Sequence, residues 1–284
     1  IENMKKIDLL KQLLSSEKKI FLSKDIYPLL EKIKHIRGFK SMSFSILMEF
    51  LEKQNFLVKE YFLHNDNTQG YVCTNGISQA DIFDIAGSRY RSYFSFYTAL
   101  YLNGLTLQIP KNIYLTVERL KTYPNTNTLI QENINKVFSG KPRVTTDTRK
   151  FNDYKVHYID GQAHENLGLV TFRDELKKTN IERTLIDCTV RPFYCGGVTQ
   201  VLEAYSNAKD ILDIQKLYTY LQKMNFTYPY GQLIGFYLQH SGYSMADYSV
   251  FEKTITDFKF YTSYNIFKKA FDPKWQIYYP QGLI

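Results

Sequence analysis

Phe56-Leu57-Val58-Lys59-Glu60-Tyr61-Phe62-Leu63 reads as a strand, His64-Asn65-Asp66-Asn67-Thr68-Gln69-Gly70 as a polar turn, and Tyr71-Val72-Cys73-Thr74 as the returning strand. Branched and aromatic side chains fit a pleated surface, and the turn is made of residues that favour bends. What precedes this hairpin is helical. Ile7, Leu10, Leu13 and Leu14 recur at helical spacing. Ser23 is placed to cap a second helix, with Asp25 in its first turn and Ile26, Leu29, Leu30 and Ile33 as its apolar stripe. Pro28 fits only near the start of that helix. Gly38 breaks the pattern, and Ser41 or Ser43 can cap a third helix over residues 41–55 that carries Phe44, Leu47, Met48 and Leu51. Three helices followed by a hairpin is the order of a winged helix-turn-helix. The expectation is an α+β chain, with a winged helix over residues 1–76 and a larger mixed α/β domain over residues 77–284.

Composition supports two folded domains. The chain has 284 residues, 44% of them apolar and 23% charged, which is enough to build a sizeable core. No apolar run approaches the ~20 residues of a membrane span, so no membrane partner is expected. Lys and Arg number 36 against 28 Asp and Glu, and the net charge of +8 suits a polyanion-binding protein. Cys73, Cys188 and Cys195 are an odd set with no CxxC, which points to a reducing, cytoplasmic compartment. The N-terminal residues Ile1-Glu2-Asn3-Met4-Lys5-Lys6 lack the apolar core of a signal peptide.

Beyond residue 76 helices and strands mix. Ala80, Ile82, Phe83, Ile85 and Ala86 suggest a short helix ending at Gly87, and Ser95 opens another that stops at Asn103-Gly104. Ile113-Tyr114-Leu115-Thr116-Val117, Val156-His157-Tyr158-Ile159 and Leu169-Val170-Thr171-Phe172 read as strands. Residues 121–150 are polar, with Pro124, Asn125, Thr126, Asn127, Gly140 and Pro142 as breakers, and residues 181–258 are mainly helical.

Few motifs carry chemistry. His35, His64, His157, His164 and His240 have neither zincin spacing nor paired cysteines beside them, so no metal is expected. Neither a GxGxxG nor a Walker loop is present, so no nucleotide cofactor is expected. Gly196-Gly197 could open backbone N–H groups to a phosphate, but such a pair more often permits a tight turn or close helix packing, and packing is the favoured reading. Cys195 would be activated only if exposed at a helix start, and otherwise packs as a buried thiol. Arg183 and Asp187 stand four apart on one helix face, as a salt bridge would. An enzyme is therefore the less favoured reading. Nucleic-acid binding has more behind it. Lys32, Lys34, His35, Arg37 and Lys40 cluster before the third helix, and the nearest acids on either side are Glu31 and Glu49. Ser41 and Ser43 stand at that helix start, where phosphate is attracted, and Lys53 and Lys59 can support the backbone from the helix end and the wing. Lys53 against Glu49 and Glu52 makes a weak base reader.

Ser95-Phe96-Tyr97-Thr98-Ala99-Leu100, Asn103-Gly104-Leu105-Thr106 and Gln108-Ile109-Pro110 resemble the "S-x-x-S-A-L … H-G-L-T … I-P" stretch of AbiEi-type antitoxins. Glu182-Arg183-Thr184-Leu185-Ile186-Asp187 resembles their "E-R-T-L-x-D" helix. Arg191-Pro192 with Cys195-Gly196-Gly197-Val198 resembles the segment after it. Gln232-Leu233-Ile234-Gly235-Phe236-Tyr237-Leu238 is similar to "R-L-G-Y-L-L", and Trp275 with Pro280 to a closing "W-x-L-x-x-P". The matches keep their order over residues 93–280; Thr98, Asn103 and Gln232 stand where the family often has Ser, His and Arg.

The resemblance implies a type IV toxin–antitoxin component of phage defence. Such a protein represses its own operon and counteracts a nucleotidyltransferase-like toxin, in several systems without a stable complex. Operator DNA and that toxin are the implied partners, and Arg183, Asp187, Gly196 and Gly197 the implied framework of the antitoxin domain. On the same resemblance residues 121–150 are an insertion that could reach DNA through Lys141, Arg143, Arg149 and Lys150. Two rivals remain. One is a winged helix that binds protein, anchored by Tyr90, Tyr93 and Phe94; the other is an enzyme acting on the toxin by phosphoryl transfer, against which the missing Gly-rich loop argues.

Overall fold

Leu10 and Leu14 lie one turn apart on the first helix and are both fully buried, as a single apolar stripe requires. The computed structural model describes residues 2–121 and 128–284. The expected breakers Pro124, Asn125, Thr126 and Asn127 lie outside the described residues. The chain divides into two units, one of Ile1–Tyr90 with Asp147–Val156 and the other of Arg91–Thr146 with His157–Ile284. Its class is α+β.

The first unit holds α1 (Glu2–Ser15), β1 (Ile20–Phe21), α2 (Ser23–Lys34), α3 (Phe44–Lys53), β2 (Leu57–His64), β3 (Thr68–Asn75) and α4 (Ile82–Gly87). The second continues with β4 (Ser92–Phe94), α5 (Phe96–Leu102), β5 (Asn112–Glu118) and α6 (Gln131–Ser139). The chain then gives β6 (Thr148–Phe151) to the first unit and shares β7 (Tyr154–Gly161) between the two. The second unit goes on through β8 (Leu169–Arg173), β9 (Leu176–Thr179), α7 (Ile181–Val190), α8 (Val198–Asn207), α9 (Ile214–Met224), α10 (Tyr230–His240) and α11 (Met245–Glu252). It closes with β10 (Phe260–Tyr261), β11 (Lys269–Asp272) and β12 (Ile277–Pro280).

In the first unit the helices pack on a sheet of order β1-β3-β2-β6. Its core joins Leu10, Leu14, Leu29, Leu30, Ile33, Phe39, Leu47, Leu51 and Phe56. The hairpin pairs Tyr61 with Tyr71 and His64 with Thr68, and β1 lies antiparallel on β3. Two caps decide the helix ends. Ser23 is not the cap of α2 but its first residue; the Leu22 N–H donates to the Asp25 carboxylate at 2.9 Å instead. Ser43 caps α3, its hydroxyl accepting from the Ile46 N–H at 3.4 Å. The unit also runs beyond residue 76, because Asp84 of α4 pairs with Lys19 at 3.6 Å and β6 returns to pair with β2.

The stretch read as a polar insertion contains a core helix. Ile134 and Phe138, one turn apart on α6, are buried among Tyr228, Phe260, Tyr261 and Tyr264. Polar residues on the other faces of α6 hid the stripe. The second unit orders its strands β5-β4-β9-β8, with the later part of β7 beside β5. Helix α10 is buried along nearly its whole length, and Trp275 lies on it fully buried with its indole N–H donating to Gln239 at 2.9 Å. Gly235 makes room for that ring: a Cβ there would run into its six-membered edge. Gly235→Ala is expected to destabilise the chain by about 3 kcal/mol, at the upper end of overpacking costs. A urea melt would read it, and an unchanged midpoint would show that Trp275 can move aside.

Candidate functional site

The basic segment follows from the end of α2. The helix stops after Lys34, turns occupy residues 35–41, and α3 restarts behind its Ser43 cap. From Lys32 to Ser43 the sequence has four Lys or Arg and no acid. Arg37, Lys40, Ser41 and Ser43 are exposed. Lys34 is half-buried, its ammonium 4.5 Å above the Phe44 ring. Lys32 is exposed but paired with Glu17 at 2.5 Å. The fold adds a cation that no sequence window could place there. Lys6 of α1 sets its ammonium 4.2 Å over Phe39 and its stem against Gly38, whose φ of +95° only glycine adopts easily.

The other assigned residues divide. Lys53 is exposed near the end of α3. Lys59 is tied to Glu52 at 2.7 Å, and that carboxylate holds its ammonium above the usual lysine range. The outward side of α3 shows Ser45, Ile46, Glu49 and Lys53, a mixed surface with an acid at its centre. The hairpin exposes Tyr61 and Tyr71, with ring centroids 5.9 Å apart. Of the cations expected from residues 121–150, Arg149 stands on β6 opposite His64, its guanidinium 4.7 Å over Phe62.

In the second unit α7 places Arg183 and Asp187 one turn apart and inward, with Asn180 as its cap. The Arg183 guanidinium donates to Asp187 at 2.9 Å and to the Leu167 carbonyl at 2.9 Å, and lies 3.5 Å from Glu118. Glu118 also accepts from the Tyr93 hydroxyl at 3.1 Å and from the His164 and Asn166 backbone N–H groups at 3.0 and 3.2 Å. Burial opposes the guanidinium charge, but Asp187 outweighs it and holds Arg183 above the ordinary arginine range. Burial pushes the Asp187 carboxyl up, with Arg183 pulling against it. This is a salt-bridged support, closed to solvent.

Gly196 and Gly197 have φ of +83° and +92°, and the Gly197 N–H donates to the Pro192 carbonyl at 2.9 Å. The pair makes a left-handed turn, and the N–H of Gly197 is already used within it. Cys195 is fully buried beside Cys188, and burial pushes its thiol up, as for a thiol packed in the core. His157 pairs with Asn112 at 2.9 Å and stacks on Tyr114. Among the described residues no three His, Cys, Asp or Glu side chains group as metal ligands, and no helix is long and apolar enough to cross a membrane. Tyr93 and Phe94 cannot anchor a partner, because both are buried in the sheet; Tyr90 is exposed.

The crystal structure of the RV2827C protein from Mycobacterium tuberculosis shares this fold. It aligns with a TM-score of 0.58 over 95% of this chain and 89% of its own, at 12% sequence identity. No family model matches the sequence, and no curated protein does.

Removing one partner of a buried ion pair strands the others. Arg183→Ala is therefore expected to cost about 3–5 kcal/mol, read by chemical unfolding. His164 gives the pH dependence. Burial, and then the Arg183 charge, lower its imidazole from 6.5 to about 4. The unfolded chain therefore binds the extra proton between those values, so this stability is whole above pH 6.5 and is lost as pH falls toward 4. Urea midpoints compared at about pH 7 and about pH 5 should differ less in His164→Gln than in the parent chain.

Proposed function

We propose that the chain is a DNA-binding regulator of antitoxin type. The first unit acts as a winged helix-turn-helix that represses its own toxin–antitoxin operon. The second counteracts a nucleotidyltransferase-like toxin in the cytoplasm. The observation that carries the DNA reading is the cluster of cations before α3, where Arg37 and Lys40 are exposed beside the helix start. Cations at that place draw phosphates, and the N-terminus of α3 adds its own partial positive charge. The antitoxin reading is supported by the resemblance to AbiEi-type antitoxins over residues 93–280, whose most specific stretch supplies the buried support around Arg183.

Phosphate contacts carry the affinity in this reading. Arg37 and Lys40 are the principal ones, with Lys34, Ser41 and Ser43 beside them. Lys32 and Lys59 are engaged by Glu17 and Glu52 and contribute less, and Lys53 supports the far end of α3. Base reading by α3 is weak, because Glu49 and Ile46 occupy its outward side. A second reading, a protein-binding module, is favoured by the exposed Tyr61 and Tyr71 of the hairpin.

Gel shifts at two salt concentrations, with DNA from upstream of the native operon and a scrambled control, separate the two. Arg37→Glu with Lys40→Glu is expected to weaken binding and to reduce the slope of log affinity against log salt by about two, roughly 0.9 for each phosphate no longer neutralised. Unchanged affinity and slope would remove this face from DNA. Retention of neither DNA, with capture of the cognate toxin that salt does not affect, would favour the protein-binding module.

A further inference from the structure

The small sheet β10-β12-β11 has one ordinary face and one that is not. Alternation sends Phe260, Ile277 and Tyr279 to one side, where Phe260 and Ile277 are fully buried and Tyr279 packs on Phe236. The other side should be polar. It instead carries Tyr261, Tyr278 and Phe271 in one row, because Tyr278 is the register partner of both others. The ring centroids are 5.1 Å apart for Tyr261 and Tyr278, and 4.8 Å for Phe271 and Tyr278. Tyr278 and Phe271 keep part of their surface open. Two exposed lysines share this face. The Lys269 ammonium is 5.3 Å from the Tyr261 ring and the Lys259 ammonium 5.5 Å from the Phe271 ring.

A groove of about 480 Å³ opens between α6 and this row, lined among others by Gln131, Asn135, Lys259, Tyr261 and Tyr278, with Asp257 as the acid in its wall. Its amides are set in place. Gln131 clasps the Lys259 backbone, accepting from its N–H and donating to its carbonyl at 2.8 Å each. The Asn135 carbonyl oxygen accepts from the Tyr261 hydroxyl and the Gln131 amide at 2.9 Å each, which leaves its amino group to donate elsewhere. Ring faces for stacking, ammonium groups for phosphate and an oriented amide for a base edge are what an unpaired nucleotide requires.

We propose that this face binds a single-stranded nucleic acid. A base stacks on Tyr278 and Phe271, Lys259 and Lys269 hold the flanking phosphates, and the Asn135 amino group donates to a base carbonyl. This site lies in the second unit and does not rest on the duplex binding proposed for the first.

The test is fluorescence anisotropy of a labelled oligouridylate of about 12 nucleotides with the full chain, at two salt concentrations. Lys259→Glu with Lys269→Glu, both on the surface, should weaken binding at least about tenfold and flatten its salt dependence, while duplex gel shifts stay unchanged. Tyr278→Leu should weaken binding roughly tenfold at either salt, the size of one missing stack. Equal affinity for oligothymidylate supports the site and removes the ribose hydroxyl from recognition; weaker affinity supports it and includes that hydroxyl. Absence of binding by the parent chain would overturn the proposal. So would variants that bind as the parent does, or a charge reversal that costs duplex and single strand alike.

Discussion

A guanidinium held inside the second unit constrains most of what surrounds it. Arg183 faces two carboxylates, Glu118 and Asp187, in a place that water does not reach. Charges of this kind stay ionised inside a protein only when their remaining hydrogen-bonding capacity is met. Here it is met from four directions: the end of β5 supplies Glu118, β4 supplies Tyr93, the loop before β8 supplies the Leu167 carbonyl and the His164 and Asn166 N–H groups, and α7 supplies Asp187. None of these elements can shift far without exposing an unpaired charge to an apolar interior. The preceding residue on the helix repeats the solution nearer the surface, since buried Glu182 pairs with Lys216 at 3.0 Å.

The first unit meets a different constraint at its hairpin. The turn between β2 and β3 is fastened rather than left free. Asn65 exchanges two hydrogen bonds with Thr148 at 2.9 and 3.0 Å, and Asp66 pairs with Lys155 at 2.8 Å. Asp147, next to Thr148, is held by Arg89 at 2.5 Å. A hairpin tip bound in this way is held to the strand that returns beside it. The turn from α2 to α3 is not fastened by a returning strand, and that is where the acid-free run of cations lies.

These two arrangements were not equally legible in the sequence. The helices and the hairpin of the first unit follow from apolar periodicity and turn residues, which are local signals, and the structure keeps their order. Arg183 and Asp187 show as a pair because four residues span one helical turn. Their partners Glu118 and Tyr93 do not, because they lie 65 and 90 positions from Arg183 and nothing local marks a charge for burial. The helix of Ile134 and Phe138 was hidden because two inward residues in a polar stretch make a stripe too thin to read. Strand β6 was hidden because four residues that pair with a distant hairpin carry no pattern of their own. Tyr61 and Tyr71 were visible as strand residues, but which side of the sheet they face depends on a register that only the fold supplies. The same holds for the row formed by Tyr261, Tyr278 and Phe271.

Net charge gains meaning once the pairs are removed from it. The excess of eight positive charges is spread over the whole sequence, and on that footing it fits many proteins. The fold uses acids against particular cations: Glu17 on Lys32, Asp25 on Lys18, Glu52 on Lys59, Glu182 on Lys216 and Glu252 on Lys274. Each such pair is nearly neutral at a distance, because the fields of opposite charges a few ångströms apart largely cancel beyond their own separation and salt screens the remainder. What a polyanion meets is therefore set by stretches that contain no acid to do this. The residues from His35 to Ser43, after the paired Lys32, are one stretch with no acid of its own in the sequence, and the Lys268-Lys269 step beside the aromatic row is another. Folding concentrates a diffuse excess into local fields, and the steering of a charged partner depends on those fields rather than on the total.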